Sequence, residues 1–428
     1  MIPREKKRQI ISWALYDWAN SAYAVTVMSV FFPLFFKQYW ASSLTSEEST
    51  YYLGLSNSVA SLAIVVLAPV LGSIADQSAA RKRFLFLFTF LGVSMCAGLF
   101  FVSQGSWSIA VIVYVLACIG FMGGVSFSDS LLVYVAPENK VDSISALGYA
   151  LGYIGGGLLF ALCVWMVQSP QTFALNDASE AISLSFLLVS IWWLLFSIPV
   201  FIWVKEPVAR CVQPSPISAI RAGIQQLIST FHEIRQLKVV FTFLLAYWLY
   251  IDGVDTIVRM AVDYGLSLNI ESSSLIIAIL ITQFIGFPSA IFFGYLGEKI
   301  GPKAGIMIAL SVYIFVVIWA SQIESAWEFY TLAILIGLVQ GGVQSLSRSL
   351  FARIIPKNRS AEFFGFYNML GKFAAVLGPF LVGGIALLTG SHRIAMLSII
   401  ILFVAGGFLL RSVDIKEGMR LARDMNAT

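Results

Sequence analysis

Apolar residues are grouped along this chain into long, nearly uncharged runs that are separated by short polar stretches. A run of about 20 apolar residues is long enough to cross the hydrocarbon core of a membrane as a helix. The runs lie at 10–36, 51–75, 83–103, 107–136, 143–168, 182–204, 239–263, 273–297, 303–322, 327–354, 362–389 and 393–411. They predict an all-α integral membrane protein with twelve transmembrane helices, which we call spans 1 to 12.

The runs fall into two sets of six. They predict an N-terminal six-helix half at 1–204, a linker at 205–238, a C-terminal six-helix half at 239–411 and a tail at 412–428. Within the linker, isoleucine, leucine and phenylalanine recur at helical spacing among basic residues after three prolines. That pattern predicts an amphipathic helix on the membrane surface, which either tethers the two halves or serves as a regulatory docking site.

The two halves resemble each other in sequence. The stretch 128–131 (Ser-Asp-Ser-Leu) in span 4 recurs 219 residues later as 347–350 (Ser-Arg-Ser-Leu) in span 10. The same offset relates 137–140 (Pro-Glu-Asn-Lys) to 356–359 (Pro-Lys-Asn-Arg). An internal duplication of this kind predicts pseudo-symmetric halves, the pattern of transporters that rock two halves around a midplane site.

Composition and charge narrow the class further. Hydrophobic residues make up 59% of the chain and charged residues 12%, against roughly 25% charged residues in typical soluble domains. The net charge of +4 gives no sign of nucleic-acid binding. Lysine and arginine are concentrated at both termini, in the linker and in one alternating set of loops, whereas the other loops carry only Lys37 and Arg393. The positive-inside rule therefore predicts that both termini are cytoplasmic.

The sequence contains no motif that indicates a cofactor or an enzymatic activity. The four cysteines and two histidines have no metal-ligand spacing, and no phosphate-binding loop or nucleophile–base set is present. We therefore expect no enzyme, no bound metal and no cofactor. The energy for transport then comes from an ion gradient, most simply of protons, or from the gradient of the substrate itself.

Span 1 contains the polar stretch Tyr16–Tyr23 (Tyr-Asp-Trp-Ala-Asn-Ser-Ala-Tyr). A carboxylate at the centre of a membrane helix costs about 2.5–3.5 kcal/mol, so it must face protein or water. At 100° per residue, Asp17, Asn20 and Ser21 share one face. We take these three residues and Tyr23 as candidate contacts for substrate or protons.

Span 7 carries a second set of candidates. Asp252, Asp255 and Arg259 share a face, and the last two, four residues apart, can pair. Asp252 and Asp255 are the counterparts of Asp17 and Asn20 in the repeat. Asp17 and Asp252 are the candidates for proton coupling; the alternative is that they only form salt bridges or caps between helices.

The ends of the spans suggest gates. Asp129 and Arg348 occupy equivalent positions with opposite charge and predict an inner gate that closes when the halves meet. Lys372 in span 11 is an alternative partner for Asp129 or for a substrate carboxylate. Further candidates follow spans 2 and 8, where an acid at a helix end can pair with nearby bases or a facing helix N-terminus, unless these charges only anchor loops in water. They are Asp76, Arg81, Glu298 and Lys303.

Two of these stretches resemble known families. The loop after span 2, Gly72–Asp76 followed by Arg81–Arg83, resembles the motif of the major facilitator superfamily, although Ala79 replaces a glycine of that motif. The Tyr16–Tyr23 stretch is similar to the signature of the autophagy-related vacuolar amino-acid effluxers and their bacterial homologues. The resemblance implies a major facilitator fold whose spans 1, 4, 7 and 10 line a central cavity, and an amino acid as substrate.

The sequence thus predicts a secondary active transporter that moves a small polar, amino-acid-like solute by alternating access. Alternatives are an exporter of drugs, siderophores or other metabolites, and a membrane receptor or nutrient sensor that transports nothing. We expect the protein to be monomeric in a bacterial inner membrane, where its partners are a small-molecule substrate and the lipid bilayer.

Overall fold

A computed structural model of the protein describes residues 3–206, 234–235, 237–267, 270–323 and 325–427. The predicted linker helix and Cys211 lie outside the described residues. So do the side chains of Arg259 and Lys372, although the backbone at both positions is helical.

Helices of the described chain correspond one for one to the twelve predicted spans. They are α1 (Arg4–Ala22, continued by Tyr23–Phe31, Phe32–Phe35 and Phe36–Trp40), α2 (Ser46–Ser78), α3 (Arg81–Phe100), α4 (Trp107–Val135), α5 (Val141–Gln168), α6 (Ala178–Trp203), α7 (Lys238–Ser267), α8 (Ser272–Ile300), α9 (Pro302–Ala320), α10 (Ala326–Ile354), α11 (Ser360–Thr389) and α12 (His392–Leu397 and Ile399–Ser412). A further helix, α13, covers Ile415–Ala427.

Eleven helices among the described residues are long and apolar enough to cross a membrane. Large apolar side chains remain exposed on the outer surface, among them Phe90 at 59%, Ile112 at 60% and Phe408 at 76%. An apolar outer surface of this extent is unfavourable in water and is satisfied by lipid. The prediction of an all-α integral membrane protein is confirmed.

The helices are longer than the apolar runs, since the polar residues next to several runs also adopt helical structure. Asp76 lies in the last turn of α2, and Asp142 lies in the first turn of α5. The helix starts are capped where the sequence allows: Thr45 and Glu48 form a capping box at α2, and Ser325 and Glu328 form one at α10.

The first helix is not a regular α-helix throughout. The α-helical segment Arg4–Ala22 is followed by π-helical turns at Tyr23–Phe31 and Phe36–Trp40, with Pro33 between them. Proline lacks a backbone N–H and disrupts the regular hydrogen-bond ladder. The change to π-helix rotates the residues after Ala22 away from the face that 100° per residue predicts.

The two halves pack through α2 against α11 and through α5 against α8. Glycines permit the close approach. A Cβ atom on Gly72 would lie 2.7 Å from the carbonyl carbon of Ala361, and one on Gly365 would lie 2.8 Å from the Cα atom of Pro69. The α2–α11 contacts at Gly72 lie at the end of the bundle that holds Arg81, Lys140 and α13, which we call the basic end.

The tail after α12 is helical and folds back onto the basic end. Gly418 of α13 packs against Ile354 and Val239 of the C-terminal half. The Arg423 guanidinium lies 3.6 Å from the Glu138 carboxylate of the N-terminal half. The tail therefore contacts both halves.

Candidate functional site

The centre of the site is the guanidinium group of Arg348, which reaches from α10 into the N-terminal half. Its Nη1 atom lies 2.9 Å from Oδ1 of Asp129 and 3.0 Å from Oδ2 of Asp17, and Nη2 lies 3.1 Å from the same Asp17 oxygen. Only 2% of the Arg348 side chain is exposed. The structure thus places one predicted site residue, Asp17, and two predicted gate residues, Asp129 and Arg348, in a single buried cluster.

The remaining donors of Arg348 are also satisfied. Nε donates to the Ser145 hydroxyl at 3.0 Å, and Nη2 donates to the Ser145 carbonyl at 2.8 Å. With the carboxylate contacts this makes five hydrogen bonds, which matches the five N–H groups of a guanidinium. The centre of the guanidinium also lies 4.8 Å from the Trp13 ring and 4.3 Å from the Tyr149 ring, within the range of a cation–π interaction.

Local packing holds these groups in place. Trp13 donates its indole N–H to the Ser128 carbonyl at 2.8 Å, and the second oxygen of Asp129 accepts from the Asn368 amide at 3.2 Å. A Cβ atom on Gly148 would collide with the Asp17 carboxylate and lie 2.8 Å from Nη2 of Arg348. The cluster therefore requires glycine at this position of α5.

The cluster contains two carboxylates and one guanidinium. When both carboxylates are ionised it carries one excess negative charge, and it lies where water cannot screen that charge. Burying such a group is costly unless every charge has partners. A proton or another cation that binds here removes the excess charge.

Asp129 and Arg348 stand at equivalent positions of the two repeats, and so do Glu138 and Lys357. Both pairs are in direct contact, since Nζ of Lys357 lies 3.0 Å from Oε1 of Glu138. Residues related by a two-fold axis touch each other only close to that axis. One pair is thus buried on the pseudo-two-fold axis, and the other is exposed on it at the basic end.

The gate candidates after span 2, Asp76 and Arg81, lie at the interface between the halves. Asp76 accepts hydrogen bonds from the backbone N–H groups of Ala361 at 3.0 Å and Glu362 at 2.8 Å, the first turn of α11. Its Oδ1 atom also lies 2.5 Å from Nη2 of Arg81, which donates to the Asn358 carbonyl at 3.2 Å. Both kinds of partner that the sequence suggested, a nearby base and a facing helix N-terminus, are present together.

After span 8, the gate candidate Glu298 pairs with Lys140 and not with the predicted Lys303. Glu298 at the end of α8 lies 2.5 Å from Nζ of Lys140, which precedes α5. Lys303 instead donates to the carbonyls of Arg411 at 2.6 Å and Val413 at 2.9 Å, at the end of α12. Lys303 therefore stabilises a helix terminus within the C-terminal half, and its described contacts do not bridge the halves.

The candidate residues of span 1 have two different surroundings in the structure. Ser21 packs with Asp17 towards α5, where Cβ atoms on Gly152 or Gly156 would meet Ser21. Tyr23 is fully buried inside the N-terminal half; its hydroxyl lies 3.3 Å from Sγ of Cys118 and its ring packs on Trp193.

The side chain of Asn20 is buried within the N-terminal half, as that of Tyr23 is, and does not lie beside Asp17. Its side chain is 4% exposed and lies beside the hydroxyl of Tyr16, which bonds Thr89 at 3.0 Å. Asn20 and Tyr23 thus contribute to the core of the N-terminal half.

The candidates of span 7 also differ in their surroundings. Asp252 is fully buried and accepts from the Gly378 backbone N–H of α11 at 3.0 and 3.1 Å. This contact favours the interhelical role that the sequence left open for it. Asp255 is half-buried and lies within electrostatic reach of the hydroxyls of Tyr149 and Tyr247.

The cluster also contains four residues that the sequence did not predict: Trp13, Ser145, Tyr149 and Asn368. The internal repeat could have indicated three of them. Trp13 precedes Asp17 by four residues, as Trp248 precedes Asp252, and Tyr149 and Asn368 are related by the same 219-residue offset as Asp129 and Arg348. Ser145 carried no comparable signal.

Comparison with known proteins identifies the family. The family model described as "Vacuole effluxer Atg22 like" matches residues 5–139 and 134–423. The chain belongs to this family. It is 38% identical over 421 residues to the protein named "Uncharacterized MFS-type transporter YxiO" of Bacillus subtilis, with 98% of each chain covered.

Fungal relatives are more distant. Autophagy-related protein 22 of Coccidioides immitis is 24% identical, with 98% of this chain and 88% of that protein covered. The protein of the same name from Yarrowia lipolytica is 28% identical over 70% of this chain, but the match spans only 55% of the Yarrowia protein.

Solved structures establish the fold. The human organic anion transporter MFSD10 matches with a TM-score of 0.76 at 15% identity, covering 96% of this chain and all of that one. The proton:xylose symporter XylE matches with a TM-score of 0.69 at 13% identity, covering 96% and 95%. The chain therefore has the major facilitator fold. Its apolar helices and its 38% identity to the Bacillus protein named as an MFS-type transporter identify it as a multi-pass membrane transporter. Since its relatives are transporters, the expectation that it is not an enzyme is confirmed.

Proposed function

We propose that this transporter couples the movement of a small, amino-acid-like solute to a proton gradient by alternating access. The observation that carries the proposal is the buried cluster of Asp17, Asp129 and Arg348 on the pseudo-two-fold axis between the halves. The proposal includes a bacterial inner membrane with the basic end in the cytoplasm, a functional monomer and no bound cofactor.

The contacts at the basic end support a state that is closed on this side. Asp76 holds the first turn of α11, Lys140 pairs with Glu298, and Arg353 lies 2.7 Å from Asp142. All of these contacts join one half to the other. They are hydrogen bonds and ion pairs, whose partners water can replace when the halves separate.

The excess carboxylate supports proton coupling. If Asp17 or Asp129 takes up a proton, Arg348 keeps only one ionised partner, and the electrostatic attraction between the halves decreases. Proton binding would thus favour separation at the basic end, and proton release would favour closure. Transport in which each cycle carries a proton follows from that exchange.

The nature of the solute is supported by the family and by the balance of charges. The matched family is described as vacuole effluxers. The Tyr16–Tyr23 stretch of this chain is similar to the signature of the amino-acid effluxers. The spans carry both acidic and basic residues, which suits a zwitterion better than a strongly charged solute. Movement from the vacuole lumen to the cytosol corresponds to uptake in a bacterium, because the lumen is topologically external.

Flux measurements in liposomes test the proposal. Purified protein under an imposed pH gradient should accumulate at least one radiolabelled amino acid, and collapse of the gradient should abolish the accumulation. Absence of flux for every amino acid tested would favour the alternative of an exporter for drugs, siderophores or other metabolites.

The variant Asp17→Asn tests the coupling residue. An asparagine can still accept a hydrogen bond from Arg348 but cannot take up a proton, so we expect normal insertion with loss of gradient-driven accumulation. Exchange of labelled for unlabelled substrate in the absence of a gradient serves as the control for a functional cavity. Wild-type pH dependence in this variant would show that Asp17 has only a structural role.

A further inference from the structure

Arg348 belongs to the C-terminal half, yet every group that binds its guanidinium belongs to the N-terminal half. Trp13 and Asp17 come from α1, Asp129 comes from α4, and Ser145 and Tyr149 come from α5. We propose that these five residues form a receptor for an organic cation, which we call the cation pocket. Arg348 occupies the cation pocket in the closed state, and a guanidinium or ammonium group of a solute occupies it when the halves separate.

The chemistry of the cation pocket is that of a cation receptor. Two carboxylates, one hydroxyl and one backbone carbonyl supply the acceptors, and two aromatic rings face the guanidinium. Aromatic rings combined with carboxylates are a recurring arrangement for binding ammonium and guanidinium groups. No positively charged side chain of the described N-terminal half contacts the guanidinium, so the excess charge left after Arg348 departs is negative.

Part of the cation pocket is held without the C-terminal half. The hydrogen bond from Trp13 to the Ser128 carbonyl, at 2.8 Å, joins two helices of the N-terminal half. Gly148 of α5 leaves the space into which the Asp17 carboxylate fits. By contrast, Asn368 of α11 contacts Asp129 and would depart together with Arg348. The position of Trp13 and the space for the Asp17 carboxylate therefore do not depend on contacts with the C-terminal half.

Among the described residues, the equivalent positions of the C-terminal half do not repeat this set of groups. Asp252, the counterpart of Asp17, binds the Gly378 backbone N–H. The counterpart of Asp129 is Arg348 itself, and the counterpart of Tyr149 is Asn368. The cation pocket is thus a specialised feature of one half and not a consequence of the duplication.

A competition follows from this arrangement and rests on the alternating access of the proposed function. A cationic solute that enters from the basic end stabilises the separated state because it occupies the position that Arg348 needs for closure. Closure returns Arg348 to the cation pocket and displaces the solute. Arg348 then acts as a tethered competitor of the cation that it replaces.

Ligand binding to the variant Arg348→Ala tests the cation pocket directly. In detergent-solubilised protein, the measurement is the dissociation constant of ethylguanidinium, with the neutral analogue ethylurea as the matched control. We expect ethylguanidinium to bind this variant at least tenfold more tightly than ethylurea does. That preference should vanish when Asp17→Asn and Asp129→Asn are added.

Equal affinity for the charged and neutral probes in a folded Arg348→Ala protein would overturn the proposal. If that variant does not fold, wild-type protein in liposomes replaces it, and ethylguanidinium should inhibit transport only from the side of the basic end. Lack of inhibition from that side would likewise overturn it. Because the binding assay needs no transport, a failure of the proposed flux and a failure of the cation pocket are distinguishable.

Discussion

At the scale of single residues, burial decides what each charge contributes. The Asp129–Arg348 and Glu138–Lys357 pairs occupy equivalent repeat positions and have similar distances, 2.9 and 3.0 Å. The first pair is almost completely buried, whereas the side chains of the second are 63% and 46% exposed. Losing one partner of a buried pair costs about 3–5 kcal/mol, and an exposed pair contributes about 0–1 kcal/mol.

This difference predicts the outcome of charge swaps. Asp129→Arg and Arg348→Asp should each lower transport at least tenfold, since each leaves like charges buried together. The double swap should recover part of the activity if the two residues pair directly. The swap of Glu138 and Lys357 is the matched control and should change transport less than twofold. Single-swap losses with no recovery in the double swap would argue against a gate built on direct pairing.

At the scale of helices, glycine residues at the contacts allow the two halves to approach closely. Gly72 of α2 lies against the backbone of Ala361, where no neighbouring side chain can rotate away. Gly54 of the same helix has no atom within 4 Å of its Cβ position. One helix therefore offers a tightly packed glycine and an open one.

We predict that Gly72→Val opens the basic end and that Gly54→Val leaves it closed. Valine at Gly72 would push α11 away from Asp76, so the backbone N–H groups of Ala361 and Glu362 would lose their acceptor. Hydrogen–deuterium exchange of the peptide covering the first turn of α11 should become at least tenfold faster in Gly72→Val alone. Unchanged exchange there would mean that the α2–α11 crossing tolerates the added volume.

At the scale of the whole molecule, the described contacts between the halves at the basic end include many polar ones. They include Asp76 with α11, Lys140 with Glu298 and Asp142 with Arg353. Such contacts exchange with water at modest cost, which a protein that must open and close requires. Large apolar side chains also cover the outer surface of the bundle, which faces lipid.

A covalent link across this end should therefore arrest transport. We predict that cysteines at Lys140 and Glu298, joined by a short bifunctional maleimide, abolish flux, because the halves can no longer separate. Cysteines at Lys303 and Val413 lie at the same end but within one half, so the same reagent should leave flux unchanged. Continued flux in the cross-linked 140–298 pair would contradict separation at the basic end.

The sequence alone determined the number and order of the membrane-spanning helices, the segregation of positive charge and the family. Hydrophobic length is a local property of the chain, and the stretch from Tyr16 to Tyr23 is contiguous, so neither depends on packing. The 219-residue offset also related Asp129 to Arg348 before any contact was known.

Only the tertiary structure decided which groups meet. Asp17 binds Arg348, which is 331 residues later in the sequence, and Asp252 binds the Gly378 backbone. Lys303 binds the end of α12 and no group of the described N-terminal half. Spacing assigns residues to a face of one helix, but the neighbour of that face depends on how helices rotate and pack. Asp17 therefore lies at the interface between the halves, whereas Tyr23, on another side of the same helix, lies in the core of the N-terminal half.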